Sequence, residues 1–194
     1  DHLEHLLNQV AFANGLNLKV LRTDGRVPVG HGIGPALEAR DVIAVLQDAS
    51  GASKALRARA VALAGEVLEL CKHVEPGQGA ERASEILASG QAWQKFLAIC
   101  QAQGGFTPPT LAPIQSVVTA THAGALKEID NRRLARLAKL LGAPEAKAAG
   151  VDLHIHLGDA VTRGEPLFTL HAQAEGEMAY AKAYLDANPP MLIE

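Results

Sequence analysis

Aromatic residues, excess positive charge and long apolar runs are all scarce in this sequence of 194 residues. Only 4% of the residues are aromatic and the formal net charge is −3, so neither a basic nucleic-acid face nor a base-stacking platform is evident. No apolar run approaches the ~18 residues that a membrane helix needs. The first residues, Asp1, His2, Glu4 and His5, do not resemble the basic start of a signal peptide. We therefore expect a cytoplasmic protein with no nucleic-acid or membrane partner.

Cysteine is also scarce, with two residues in the whole sequence. Cys71 and Cys100 both fall on apolar helical patterns, which favours buried, reduced thiols over a disulfide or a metal pair. By contrast, 48% of the residues are apolar, which is enough for a core in one large or two small domains.

The first half of the sequence is predicted to be mostly helical. A helix followed closely by a strand is typical of an α/β unit, and packing helices follow it. Apolar spacing and stop signals predict a helix from residue 1 that Gly15 ends, a strand over 16–22, a helix from Pro35 to about residue 47, a helix over 54–71, and two shorter helices ending at Gly90 and near Gly104. The 54–71 helix is predicted to turn inward the side chains of Leu56, Ala60, Val61, Leu63, Ala64, Val67, Leu68 and Cys71.

Residues 106–115 are rich in proline and lack periodicity, so they predict a linker between a domain over 1–105 and a second domain over 116–194. The second domain is predicted as a small β unit with an inserted helix that Asp130 or Asn131 caps. Its other predicted elements are two short strands before Asp130, strands folded back by turns over 151–172, and a last helix over 174–187. Strict alternation puts Val151, Leu153, Ile155 and Leu157 on one strand face.

Three histidines form one candidate site. His154 and His156 share the other strand face, and His171 lies on a nearby predicted strand. Three imidazole nitrogens could bind zinc or copper. Strand alternation alone also puts polar side chains there, so a solvated outer face is the alternative.

The glycine-rich stretch "VPVGHGIGPALEAR", residues 27–40, is a second candidate site because it runs into a helix N-terminus. Such a turn can bind an anion or a cation, or it can be only a tight connection. His31 lies between two of its glycines, where a ligand could approach the backbone. The nearby charged residues, for which a solvated helix face or a cap is the alternative role, are Asp24, Glu38, Arg40 and Asp41.

No nucleophile-elbow, P-loop or Cys/His nucleophile pattern is present. Several stretches in order do resemble one family, the thymidine and pyrimidine-nucleoside phosphorylases, over essentially the whole sequence. They include "LRTDGRVPVGHGIGPALEARDVIAVLQ", "ERASEILASGQAWQKFLAICQAQGG" and "ALKEIDNRRLARLAKLLGAPEAKAAGVDLHIHLGDAVTRGEPLFTLHA". The stretches "PVGHGIGPALEAR" and "GAPEAKAAGV" most resemble sequences of the AMP phosphorylase branch.

The resemblance implies a pentosyltransferase that cleaves a nucleoside or nucleotide with inorganic phosphate, giving free base and ribose or deoxyribose 1-phosphate. It also implies that the phosphate loop and the base-gripping helix lie upstream, so we expect this chain to be an inactive C-terminal fragment of a homodimeric enzyme. The implied fold is part of an α/β domain with packing helices, followed by an α+β domain of the hammerhead-like, barrel-sandwich type. A noncatalytic binding or scaffolding module derived from the same fold is the alternative.

The resemblance further implies a monovalent cation site, such as one for potassium, and no organic cofactor. Its ligands here would be the backbone carbonyls of Val29 and Gly32 and the carboxylate of Asp41, completed by upstream residues. The family usually has glutamate where Asp41 stands. The C-terminal segments also resemble biotinyl and lipoyl carriers, but a predicted helix occupies the connection that would need an exposed lysine.

Overall fold

The computed structural model describes residues 2–194, so Asp1, the start of the predicted first helix, lies outside the described residues. The described residues form a mixed structure of helices and antiparallel sheets, as expected for an α+β fold. The helices are α1 (His2–Ala13), α2 (Pro35–Leu46), α3 (Lys54–Leu70), α4 (Gly79–Ala88), α5 (Gln91–Ala102), α6 (Asn131–Leu140) and α7 (Glu175–Ala187). The strands are β1 (Gly32–Ile33), β2 (Ile114–Thr119), β3 (Gly124–Ile129), β4 (Gly150–Leu153), β5 (Ala160–Val161), β6 (Pro166–Ala172) and β7 (Met191–Ile193).

Local signals explain where several helices begin. Pro35 occupies the first turn of α2, where its missing N–H costs nothing. The Ser53 hydroxyl accepts a hydrogen bond from the Leu56 N–H and caps α3. The Asp130 carboxylate accepts hydrogen bonds from the first backbone N–H groups of α6, which confirms the predicted cap.

Two antiparallel sheets carry the strands. The larger sheet has the order β1-β4-β6-β2, and the smaller has the order β5-β3-β7. In the larger sheet Gly32 lies opposite Asp152, and Asp152 lies opposite Thr169. The short strand β1 therefore extends the sheet with residues from the glycine-rich loop. The predicted boundary at residues 106–115 stays a prediction.

The core lies between the larger sheet and helices α6 and α7. Phe168 and Leu170 of β6 and Leu134 and Leu137 of α6 are all almost fully buried, and Met178 of α7 packs with them. Burial of such side chains contributes about 1.5–3 kcal/mol each. This core covers the inward face of the larger sheet, and the opposite face carries the polar residues described below.

The predicted strand over residues 16–22 is wrong. Strands need a neighbouring strand to complete their backbone hydrogen bonds, and within residues 2–194 no strand pairs with this segment. The side chains of Leu16, Leu18 and Leu21 are exposed. Ion pairs connect the segment instead to its surroundings, with Lys19 contacting Glu66 and Arg22 contacting Glu4.

The last strand was not predicted, and another was predicted too long. Residues 191–193 form β7, which pairs with β3 at the edge of the smaller sheet. β4 ends at Leu153, and beyond it the His154 N–H still donates to the Leu167 carbonyl of β6 (2.9 Å) before the turn over 157–158. Leu157 is therefore 46% exposed, although Val151, Leu153 and Ile155 are buried as predicted.

Helix α3 is less buried than its apolar pattern predicts. Gly65 is its buried residue, and it lies against Gly79 at the start of α4. The predicted inward positions Leu63 and Val67 are 42% and 57% exposed. Cys71 is exposed and Cys100 is half-buried, so both thiols are free as predicted but Cys71 is not buried. Among the described helices, none combines the length and apolar character that a membrane span requires.

Candidate functional site

The carboxylate of Asp41 holds the glycine-rich loop against helix α2. The residue is 5% exposed, and its Oδ2 accepts hydrogen bonds from the backbone N–H groups of His31 (2.6 Å) and Gly32 (2.7 Å). Hydrogen bonds to a charged acceptor are stronger than neutral ones. Asp41 is therefore neither part of a solvated face nor a helix cap, because it fixes the path of the loop.

Two glycines make this close approach possible. A Cβ atom on Gly30 would lie 2.5 Å from Asp41 Oδ2, and one on Gly32 would lie 2.5 Å from the backbone carbon of Leu37. Both distances are far below van der Waals contact. Glycine is therefore needed at both positions for the loop to pack against α2.

Several backbone N–H groups at the N-terminus of α2 donate to partners within the chain. The Gly34 N–H donates to Glu38 Oε1 (3.1 Å), and the Ala36 N–H donates to the Lys147 carbonyl (2.9 Å). Together with the two donors that Asp41 engages, these groups are satisfied within the chain. Four N–H groups that could otherwise bind an anion are therefore engaged, three of them by carboxylates of α2.

The three residues expected to bind a cation lie on this same loop and helix. The Val29 carbonyl accepts a hydrogen bond from the Ser53 hydroxyl (2.9 Å) and keeps a second lone pair. The Leu153 N–H donates to the His31 carbonyl, so Gly32 and Asp152 form a non-hydrogen-bonded pair and the Gly32 carbonyl points away from β4. Oxygen donors with a single carboxylate fit a hard monovalent cation.

Arg40 connects α2 to the sheet through a bidentate ion pair. Its Nη1 lies 2.7 Å from Asp152 Oδ2 and its Nη2 lies 2.6 Å from Asp152 Oδ1. Burial alone would raise the pKa of Asp152, but the hydrogen bonds and charge of Arg40 hold that pKa below its ordinary value. Arg40 Nη2 also lies 3.5 Å from Asp41 Oδ1, so one guanidinium lies between two carboxylates.

The three candidate histidines do not form a metal centre. His154 and His156 are exposed, as the alternative of a solvated face predicts, and His154 Nε2 lies 2.8 Å from the Thr169 hydroxyl. His156 instead packs its ring against His31, with centroids 5.4 Å apart. Across residues 2–194, no group of three His, Cys, Asp or Glu side chains is placed to hold a metal ion.

His171 differs from the other two because it is only 3% exposed. Neither ring nitrogen makes a hydrogen bond. Burial lowers the pKa of His171, against the opposing influence of Asp152 and of the Ala112 backbone. The sequence did not predict this burial, because β6 is covered on both faces and its residues do not alternate in exposure.

Asp24 lies in the turn before the loop and bonds to a neighbour. Its carboxylate accepts hydrogen bonds from the Arg26 side chain and backbone, which lower the pKa of Asp24 to about 2. The residue is exposed and is a turn residue.

The sequence did not predict a role for Ser53. Its hydroxyl caps α3 and also donates to the Val29 carbonyl, and no local pattern signals the second contact.

Comparison with known proteins gives matches along nearly the whole chain. Residues 125–190 match the model of the pyrimidine nucleoside phosphorylase C-terminal domain. A protein of Acidovorax sp. (strain JS42) named "Putative thymidine phosphorylase 1" is 53% identical over 185 residues, which is 95% of this chain and 36% of that protein. One of Sphingopyxis alaskensis named "Putative thymidine phosphorylase" is 52% identical over 190 residues, 98% of this chain and 37% of that protein. The chain thus spans little more than a third of the length of these curated relatives.

Proposed function

Because the chain belongs to the pyrimidine nucleoside phosphorylase family, we propose that it is part of a phosphorylase of the thymidine phosphorylase type. In this reaction an oxygen of inorganic phosphate forms a bond to the anomeric carbon of the sugar. The bond from that carbon to the base breaks, and the base leaves with the electron pair and takes up a proton. The products are free base and ribose or deoxyribose 1-phosphate. The observation that supports this proposal most directly is the 53% identity to the Acidovorax relative over 95% of the chain.

The role proposed for this chain is to frame the cleft, and reactive groups would come from other parts of the enzyme. The charged residues of the loop support this view. Asp41 is engaged by backbone N–H groups, and Arg40 is engaged by Asp152. A group held in this way positions the backbone but has little freedom to attack or protonate a substrate. The 194-residue chain alone is therefore proposed to be inactive.

A monovalent cation, for which potassium is the candidate, is proposed to bind the Val29 and Gly32 carbonyls and the Asp41 carboxylate. When bound, it would neutralise charge and hold the loop in one shape. Val29 and Gly32 both lie on the glycine-rich loop. Asp41 Oδ1 is the carboxylate oxygen not used by the loop N–H groups, and Arg40 Nη2 lies 3.5 Å from it. No organic cofactor is proposed.

The domain type and the substrates implied by the family resemblance are also part of this proposal. Residues 116–194 would form the hammerhead-like domain. Two antiparallel sheets, with α6 inserted between their strands, support this assignment. The nucleoside or nucleotide and phosphate are the proposed substrates. The homodimer and the cytoplasmic location of the full-length enzyme stay predictions.

Phosphorolysis assays test the proposal. Thymidine, uridine and AMP are each incubated with phosphate and either the 194-residue chain or a full-length enzyme that contains it, and released base is measured by chromatography. We expect base release that depends on phosphate from the full-length enzyme only. Turnover by the 194-residue chain would contradict its proposed role, and no turnover by the full-length enzyme with any substrate would favour a noncatalytic module.

A further inference from the structure

The guanidinium of Arg40 lies between two carboxylates at unequal distances. Its Nη1 and Nη2 lie 2.7 and 2.6 Å from the two oxygens of Asp152, whereas Nη2 lies 3.5 Å from Asp41 Oδ1. The contact with Asp152 has the short, parallel hydrogen bonds of a strong charge-assisted pair. The distance to Asp41 is longer than such bonds usually are. Arg40 is therefore bound tightly to Asp152 and only loosely to Asp41.

The two oxygens of Asp41 have different surroundings. Oδ2 accepts hydrogen bonds from the His31 and Gly32 N–H groups, whereas Oδ1 faces the Arg40 guanidinium. Because Asp41 is 5% exposed, water screens little of the positive charge that Arg40 presents to this oxygen. The distance of the guanidinium from Oδ1 therefore determines how well that oxygen can accept another cation.

Asp152 lies on a fixed part of the fold, and Arg40 does not. Asp152 belongs to β4, which pairs with β1 through Gly32 on one side and with β6 through Thr169 on the other. Its side chain is 14% exposed, compared with 38% for Arg40. The long, half-exposed arginine side chain can adopt other rotamers when its partner is lost. Without the Asp152 carboxylate, the guanidinium would turn towards the neighbouring carboxylate of Asp41.

We propose that Asp152 is a positioning residue for the cation site, because it holds Arg40 away from Asp41 Oδ1 and leaves that oxygen open to potassium. The inference rests on the proposed function for the cation itself. Two positive charges compete for one carboxylate oxygen, so tighter binding of the guanidinium means weaker binding of the cation. The cation affinity of a loop in the first half of the chain thus depends on a strand residue 112 positions beyond Arg40.

Isothermal titration calorimetry with KCl tests the proposal on a full-length enzyme that contains this chain. The buffer contains tetramethylammonium as its other cation and neither nucleoside nor phosphate. Asp152→Asn removes the charge that holds Arg40, and Arg40→Gln combined with Asp152→Asn removes the competing guanidinium as well. Asp41→Asn removes the proposed ligand. Glu85→Gln is the matched control, because Glu85 pairs with Arg82 on the exposed surface of α4. Circular dichroism checks that each variant is folded.

We expect the Kd for K⁺ to rise about tenfold in Asp152→Asn, which corresponds to about one hydrogen bond to a charged group. In the double variant the Kd should return to within about threefold of the wild-type value, and Glu85→Gln should change it by less than about twofold. Asp41→Asn should abolish K⁺ binding. The recovery in the double variant separates competition from a merely structural role, because loss of the second partner of a structural ion pair would not restore binding.

An unchanged Kd in Asp152→Asn would overturn the proposal, and so would a double variant that binds K⁺ no better than Asp152→Asn. Binding by the double variant but not by the wild type would mean that Arg40 already occupies the carboxylate, which overturns it too. Binding that persists in Asp41→Asn would place the cation elsewhere, with the same result.

The failure of the proposed function would look different. If neither the wild type nor any variant binds K⁺, the proposed cation site fails and this inference fails with it. Because binding is measured without substrates, an enzyme that binds K⁺ as expected but lacks phosphorolysis would count against the proposed reaction alone.

Discussion

Arg40 and Asp152 are 112 residues apart in sequence and form a bidentate ion pair with both N–O distances below 2.8 Å. The pair joins α2, which carries the loop carboxylate Asp41, to β4 in the centre of the larger sheet. The orientation of the guanidinium also sets its distance to Asp41. The position of the loop thus depends on a contact with the second half of the chain.

Replacing Arg40 with lysine should lower the free energy of unfolding by about 1–2 kcal/mol, because lysine keeps the charge but cannot form two parallel hydrogen bonds. The expected loss lies between those of exposed and buried ion pairs, since the Arg40 side chain is 38% exposed and that of Asp152 is 14% exposed. Urea unfolding followed by circular dichroism measures it. Arg82→Lys is the control, because Arg82 pairs with Glu85 on the exposed surface of α4, and a similar loss in both variants would contradict the prediction.

Asp41→Asn should loosen the glycine-rich loop while α2 stays folded. The asparagine oxygen can still accept hydrogen bonds, but the acceptor loses its charge, which costs about 1–2 kcal/mol. Amide hydrogen exchange measured by NMR should therefore rise about tenfold at His31 and Gly32.

Glu38→Gln is the control for that experiment, because the Glu38 side chain accepts from Gly34 and not from the other two amides. Faster exchange there should be confined to Gly34. If Asp41→Asn leaves exchange at His31 and Gly32 unchanged, Asp41 does not hold the loop.

The stability of the fold should depend on pH through His171. Burial lowers the pKa of His171 below its ordinary value of 6.5, helped by the charges of Arg40 and His154 and opposed by Asp152. Below pH 6.5 the unfolded chain therefore binds a proton that the folded chain does not, so His171 makes stability fall as the pH falls towards its folded pKa. Above pH 6.5 this contribution to stability is complete.

His171→Leu removes the titrating group and two buried nitrogens without hydrogen bonds. At pH 7.5 the free energy of unfolding should change by less than about 1 kcal/mol, because no hydrogen bond is lost and the volumes are similar. Between pH 7 and pH 5 the variant should lose less stability than the wild-type chain. His73→Leu changes an exposed histidine as a control and should leave the pH dependence in place. An unchanged pH dependence in His171→Leu would contradict the assignment.

The parts of the fold that were predicted from the sequence depend on neighbours along the chain. Pro35 in the first turn of α2 and Asp130 as the cap of α6 act within three or four residues of themselves. The predicted strand over 16–22 failed because a strand depends on a distant partner. The β1–β4 pairing and the Arg40–Asp152 pair could not be predicted for the same reason.

The loop itself was partly predictable. Its glycines and the helix after it are local features, and they indicated that the backbone lies close to a ligand or to another part of the chain. The close neighbour of Gly30 is the Asp41 carboxylate. This contact depends on the orientation of α2 relative to the loop, which is a tertiary feature. Burial of His171 likewise depends on what covers the outer face of β6.

Gly32→Ala should destabilise the chain by about 1–3 kcal/mol, because the added Cβ would lie 2.5 Å from the backbone of Leu37 and force β1 away from α2. Leu37 is fully buried, so the helix cannot yield without disturbing its packing. Gly51→Ala is the matched control, since no atom lies within 4 Å of a Cβ at that position, and it should change stability by less than about 1 kcal/mol. Thermal and urea unfolding of both variants measure the difference. Equal stability of the two would mean that α2 and β1 do not pack as closely as the Gly32 contact requires.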